Sequence, residues 1–235
     1  MRLFEPEALS QSEYFLRYEE FRRQLGISAV IAVSGGAETT IPDMPTNISE
    51  EYGRNLEERI RIVVTECLRP LRGYRVAILT GGTNGGVPGI TTGVAKELGL
   101  RTIFVYPSRA KKWRLPVEPD LDLEIKPLFR QSEWGDESPI FAAILDAVVV
   151  IGGGVGTQCE CAHVLKINES LKDLERPKLL VPIHGFRGVA EQLHFLCAKE
   201  EVRRRCLPDH AIWSGKDAAR LILIHTDPVY QEERG

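Results

Sequence analysis

The sequence predicts an α/β fold, a Rossmann-like three-layer sandwich around a mostly parallel central sheet. Three observations carry this. Short apolar, β-branched runs recur along the chain and alternate with helical stretches. The runs are nearly unbroken, as suits strands buried on both faces of a parallel sheet. Two of them lead directly into glycine-rich turns that open helices.

The elements follow in order. Within residues 10–25, Tyr14, Phe15, Tyr18, Phe21 and Leu25 recur at helical spacing and predict an amphipathic helix. Residues 29–33 read as the first strand. Asn47 with Glu50 has capping-box spacing and starts a helix through about Cys67. Residues 76–79 form the second strand, and a helix over 90–98 is closed by Gly99. Strands follow over 102–106 and, more weakly, 123–128. A helix over 139–145, a strand over 147–151 and a helix over 157–170 come next. The last strand covers 179–183, and a helix covers 188–199. Ser214 with Asp217 caps a helix through Ile224, with a strand over 221–224 as the alternative. Two long loops, 35–46 and 107–120, follow strands, where such folds place binding residues.

A chain of 235 residues fits one domain spanning 1–235. Hydrophobic residues make up 43% and charged residues 27%, the balance of a globular protein. The net charge of −3 supplies no basic field for nucleic acid or anionic lipid, so neither is an expected partner. No apolar run approaches the roughly 20 residues of a membrane helix. The opening Met1-Arg2-Leu3-Phe4-Glu5-Pro6 lacks the apolar core of a secretion signal. Five cysteines, Cys67, Cys159, Cys161, Cys197 and Cys206, are an odd number and read as reduced thiols in a cytoplasmic protein.

The first candidate site is Thr80-Gly81-Gly82-Thr83-Asn84-Gly85-Gly86-Val87-Pro88-Gly89. Glycines let backbone approach a phosphate, and free N–H groups at a helix start favour an anion. Gly81, Gly82, Thr83, Asn84, Gly85 and Gly86 are the candidate phosphate-binding residues. Val87 and Pro88 stand where a Walker P-loop carries Lys and Ser/Thr, and no acidic residue ends the next strand to hold a ribose diol. That strand runs instead into Ser108, Arg109, Lys111, Lys112 and Arg114. Arg109 is read there as a phosphate-binding helper, against an equal reading as a solvated loop.

The second candidate is Gly152-Gly153-Gly154-Val155-Gly156-Thr157-Gln158-Cys159-Glu160, which also leaves a strand and enters a helix. Gly153, Gly154, Gly156 and Thr157 are its phosphate-binding candidates. Two such turns at the carboxyl ends of parallel strands face one crevice. Gly35-Gly36 either borders the same crevice or merely starts a loop. Glu160 has two readings. It is a carboxylate for acid/base work or for stabilising a ribosyl cation, or it is the glutamate of a Thr157-x-x-Glu160 capping box. Spacing alone favours the cap. Cys159 and His163 share a helix face but Cys161 does not, and no fourth ligand is evident, so neither a metal nor a cofactor is expected. His184 reads as a strand-end histidine without chemistry.

Gly81-Gly82 to Gly89 and Gly153-Gly154-Val155-Gly156-Thr157-Gln158-Cys159-Glu160 resemble the paired motifs of the SLOG superfamily. That superfamily includes the LOG (lysine decarboxylase-like) phosphoribohydrolases, the DprA-type proteins and the N-terminal domain of TRPM channels. The LOG pattern P-G-G-x-G-T-x-x-E is matched except at its proline, which is Gly152 here. Val33-Ser34-Gly35-Gly36-Ala37 and Thr80-Gly81-Gly82-Thr83-Asn84-Gly85-Gly86-Val87 are more similar to the V-T-G-G-A and T-G-G-T-N-x-G-V of the TRPM-type (LSDAT) branch. The resemblance covers roughly residues 27–200. It implies a Rossmann-like fold and a nucleotide ligand, and it implies the homodimer common among LOG relatives. The LOG branch implies hydrolysis of a nucleoside monophosphate's N-glycosidic bond through Glu160. The family's Arg-Lys falls on Glu137-Ser138, leaving Arg109 or Arg130 as the substitute arginine. The TRPM-type branch implies a sensor of an NAD-derived ligand such as ADP-ribose. From another class comes an interaction module, in which Phe15, Tyr18 and Phe21 dock a partner.

Overall fold

A computed structural model describes residues 12–37, 46–127, 134–172 and 175–226, and of 46–52 the backbone alone. Six strands form one sheet: β1 (Ala29–Gly35), β2 (Val76–Thr80), β3 (Arg101–Pro107), β4 (Leu121–Ile125), β5 (Ala147–Ile151) and β6 (Leu179–Ile183). Their order is β4-β3-β2-β1-β5-β6, and each neighbouring pair is parallel. The fold class is the expected one, with the sheet parallel throughout.

Helices cover both faces because successive strand side chains point opposite ways. Val30, Ala32, Leu79, Val105, Val148, Val150 and Leu180 face one core, which is closed by α1 (Glu13–Leu25), α4 (Ser138–Ile144), α5 (Val155–Ser170) and α7 (Glu200–Cys206). Ile31, Val33, Ile78, Val149, Ile151 and Val181 face the other. That core is closed by α2 (Thr46–Leu68), α3 (Gly86–Glu97) and α8 (Gly215–Thr226). The short α6 (Leu193–Leu196) follows a 3-10 turn over Gly188–Glu191. The single helix expected over 188–199 is therefore two short pieces. α7 has no counterpart among the elements expected from the sequence, and its five charged side chains, Glu200, Glu201, Arg203, Arg204 and Arg205, hide its apolar signal.

Several boundaries differ for identifiable reasons. The weak strand expected over 123–128 lies earlier, at Leu121–Ile125, on the sheet edge. α3 starts at Gly86, so Val87 and Pro88 lie in its first turn, where a missing N–H costs nothing. Residues 221–224 are helical, and the Ser214 hydroxyl accepts the Asp217 N–H at 3.2 Å. The capping pair Asn47 and Glu50 lies outside the described side chains, as does most of the 35–46 loop.

α1 begins at Ser12, whose hydroxyl accepts the Phe15 N–H at 3.2 Å, and it ends at Gly26 with φ +62°. Tyr18 and Phe21 are buried in the domain's own core, whereas Leu25 is 40% exposed. The Tyr18 hydroxyl donates to the Ile144 carbonyl at 2.7 Å. Tyr18 and Phe21 are thus used inside this domain, which corrects their reading as a docking face for a partner.

Among the described residues no helix is long and apolar enough to cross a membrane. The described cysteines are free thiols.

Candidate functional site

The strand order reverses at β1. From there the chain steps outward through β2, β3 and β4, then returns to lay β5 and β6 on the other side. Loops leaving β1 and β5 must therefore diverge, and the gap between them is where ligands bind in open α/β sheets. A cleft of about 560 Å³ opens there. Ser34 and Gly35 at the end of β1 line it, as do Gly36 and Ala37 beyond them, with Gly81 and Thr83 after β2. Tyr106 and Ala110 come from the β3 end, and Gly153, Gly154, Gly156, Thr157 and Glu160 from the β5 turn and α5.

The predicted residues divide into two groups. Gly35, Gly36, Gly81, Thr83, Gly153, Gly154, Gly156, Thr157 and Glu160 come together at this cleft, whereas Gly82, Asn84, Gly85, Gly86 and Arg109 do not line it. The first glycine turn is instead a seat for other backbone. Gly82 has φ +63°, and a Cβ there would lie 2.8 Å from the Phe104 ring. The Gly82 carbonyl accepts the Leu115 N–H at 2.8 Å, and the Asn84 N–H donates to the Trp113 carbonyl at 2.7 Å. At Gly86 a Cβ would meet the Gly36 carbonyl oxygen at 2.2 Å, and the Val87 N–H donates to that oxygen at 2.9 Å. An N-terminal donor of α3 is thereby satisfied by the protein's own backbone.

The second turn is open. Gly154 is the N-cap of the 16-residue α5 and supplies no side-chain cap. A Cβ at Gly154 or Gly156 would meet nothing within 4 Å. The first N–H groups of an α-helix have no intrahelical acceptor, and the helix dipole adds positive potential. α5 therefore directs unshielded donors into the cleft.

The helix start corrects the capping-box reading of Glu160. With Gly154 as N-cap, Thr157 is already helical and buried, and Glu160 lies about one turn further along. Its carboxylate accepts the Ser34 hydroxyl and faces the cleft. Burial pushes its pKa up from 4.5 to about 7; the Ser34 hydrogen bond lowers it and the nearby Glu137 carboxyl raises it. Glu137, one residue before α4, also lines the cleft, and burial raises its pKa too. The Gly135 N–H donates to it at 2.9 Å.

The basic run meets other partners. Lys111 pairs with Glu124 at 2.7 Å, Arg114 with Asp122 at 3.0 Å, and Lys112 lies 4.1 Å from the centre of the Trp113 ring. Arg109 is exposed. Arg130 lies outside the described residues. Among the described residues no group of three or more His, Cys, Asp or Glu side chains is arranged to hold a metal. Sequence reasoning missed Ser34, Tyr106, Trp134 and Phe141 as cleft residues. Only Ser34, a hydroxyl ending an apolar strand beside a glycine pair, carried a local signal. Trp134 packs on Trp113 with ring centres 5.7 Å apart and forms an aromatic wall at the cleft.

Solved structures share this architecture. TM1055, a structural-genomics target, is 18% identical with a TM-score of 0.56, covering 83% of this chain and 98% of its own. The molybdenum cofactor carrier protein of Chlamydomonas reinhardtii is 19% identical with a TM-score of 0.53, covering 83% and 95%. The molybdenum cofactor binding protein of Rippkaea orientalis is 18% identical with a TM-score of 0.52, covering 83% and 94%. The chain shares the α/β Rossmann-like fold of these structures. At these identities the likeness extends to the fold alone. No family model and no curated protein matches the chain.

Proposed function

We propose that this chain binds a phosphorylated nucleotide in the cleft at the β1–β5 switch point. The favoured ligand is NAD-derived, such as ADP-ribose, and the role is that of a sensor or nucleotide-processing domain. The observation that carries the reading is the N-terminus of α5. Gly154 and Gly156 leave open space where its unshielded N–H groups meet the cleft, the arrangement that favours a phosphate. Trp134 offers a flat apolar surface to a base. That two of the fold's neighbours are described as molybdenum cofactor proteins supports a small-molecule ligand for the architecture.

A thermal-shift panel of AMP, ADP, ADP-ribose, cyclic ADP-ribose, NAD and NADP tests the reading. A ligand at 100 times its Kd stabilises by about 2.7 kcal/mol. For a chain of this size that raises Tm by roughly 5–10 °C. The absence of any shift across the panel overturns the proposal.

A second reading is N-glycosidic hydrolysis of a nucleoside 5′-monophosphate. The specific observation favouring it is Glu160: a cleft carboxyl with a pKa near 7 is suited to give or take a proton at neutral pH. Release of free base from AMP, lost in Glu160→Gln while binding persists, is the expected signature. Binding without base release leaves the sensor reading alone.

A further inference from the structure

The cleft presents an electrostatic arrangement that a phosphate pocket alone does not explain. Two carboxyls, Glu137 from the start of α4 and Glu160 from α5, enter it together, and no Lys or Arg is among the described residues lining it. Neither carboxyl is neutralised by an ion pair with a described residue. Ser34 donates to Glu160, and the Gly135 N–H donates to Glu137. A carboxylate accepts about four hydrogen bonds, so both keep capacity turned to the cleft.

Such a pair repels phosphate and attracts hydrogen-bond donors. Glu160 also lies about one helical turn beyond the start of α5. The cleft is therefore polarised, with anion-seeking backbone at the start of α5 and donor-seeking carboxyls at Glu137 and Glu160. A phosphorylated sugar matches that polarity, because its phosphate and its hydroxyls are separated by the sugar ring. Val33, Val105 and Phe141 add apolar lining to the same cleft.

We propose that Glu137, together with Glu160, seats the vicinal hydroxyls of the ligand's ribose, making Glu137 a specificity-determining residue that selects ribose over deoxyribose. This rests on the phosphorylated-ligand reading and assigns the sugar contact within it. Glu137 carries the weight of the assignment: its side chain does not cap α4, and the hydrogen bond from the Gly135 N–H leaves most of its acceptor capacity unused.

Isothermal titration of the full chain with two matched pairs tests it: ribose 5-phosphate against 2-deoxyribose 5-phosphate, and AMP against 2′-deoxy-AMP. Losing a hydrogen bond to a charged acceptor costs about 1.5–3 kcal/mol, so the wild type binds the ribose form roughly 10- to 100-fold more tightly. In Glu137→Gln, the preference falls below about 3-fold while deoxyribose affinity changes little, and the melting transition shows that the variant is folded. Equal binding of ribose and deoxyribose forms by the wild type overturns the diol assignment without needing any variant. A preference that survives intact in Glu137→Gln overturns the role of Glu137. Nucleotide binding without sugar discrimination leaves the phosphate reading standing, whereas no binding by either pair or by the nucleotide panel removes both.

Discussion

The residue that most distinguishes this cleft is Glu160. Its raised pKa means that the folded protein holds the proton while the unfolded chain releases it. The folded state is then progressively disfavoured as pH rises from about 4.5 to about 7, and the loss persists above that. Glu160→Gln removes this dependence while keeping an acceptor for Ser34. Melting curves of the two proteins are expected to coincide near pH 4.5. Toward pH 8 the variant is expected to melt several degrees higher than the wild type. A variant less stable than wild type above pH 7 would sink this account of the carboxyl. The glycines act differently at the same scale. At Gly35 an added Cβ would sit 2.4 Å from the Ile151 carbonyl oxygen and 2.6 Å from Val87 Cγ2. Gly35→Ala is therefore expected to cost about 1–3 kcal/mol or more in urea unfolding, through strain where β1, β5 and α3 meet.

Among the elements, α5 joins structure to ligand. Its N-cap, Gly154, has φ −112°, which any residue can adopt, and its missing side chain leaves the helix end uncapped. Gly154→Asp places a carboxylate where the ligand's phosphate is proposed to sit. Two outcomes are expected together: stability rises by about 0.3–1 kcal/mol from the helix dipole, and affinity for a phosphorylated ligand drops at least tenfold. Stability without loss of affinity would place the anion elsewhere. The contrast with α3 shows what was legible in the sequence. Buried strands announced themselves through runs such as 147–151 and 179–183, whose bounds the structure keeps. The two glycine turns were equally visible, but their division of labour was not. Glycine marks close approach without saying what approaches. At Gly82 and Gly86 it is the chain's own Phe104 ring and Gly36 carbonyl, and at Gly154 it is open space. The Glu160 cap was misread because Thr157 fits a cap by type, whereas the helix begins at Val155 through glycine. Trp134 escaped because long-range packing, not local pattern, brings it to the cleft.

At the scale of the molecule, one wall of the cleft depends on a helix remote in sequence. α1 packs against β4 and α4. The Tyr18 hydroxyl holds the Ile144 carbonyl at the end of α4, and Glu137 stands just before that helix begins. The Arg17 guanidinium and the Tyr14 hydroxyl tie α1 further to Asp122 and Lys126 at 2.8 and 3.0 Å. These bonds link the first described helix to the far edge of the sheet, so α1 is expected to unfold with the domain as one cooperative unit. Phe21→Ala opens a cavity in the shared core and is expected to cost about 3–5 kcal/mol, a large share of the roughly 5–15 kcal/mol that holds a domain together. Tyr18→Phe keeps the ring and removes one buried hydrogen bond, costing about 0.5–1.5 kcal/mol. Urea titrations followed by both tryptophan fluorescence and circular dichroism decide the matter. Coincident transitions at lowered midpoints with an unchanged slope show that α1 belongs to the core. An early circular dichroism loss in Phe21→Ala, before any fluorescence change, would show instead that α1 detaches alone and that the cleft does not depend on it.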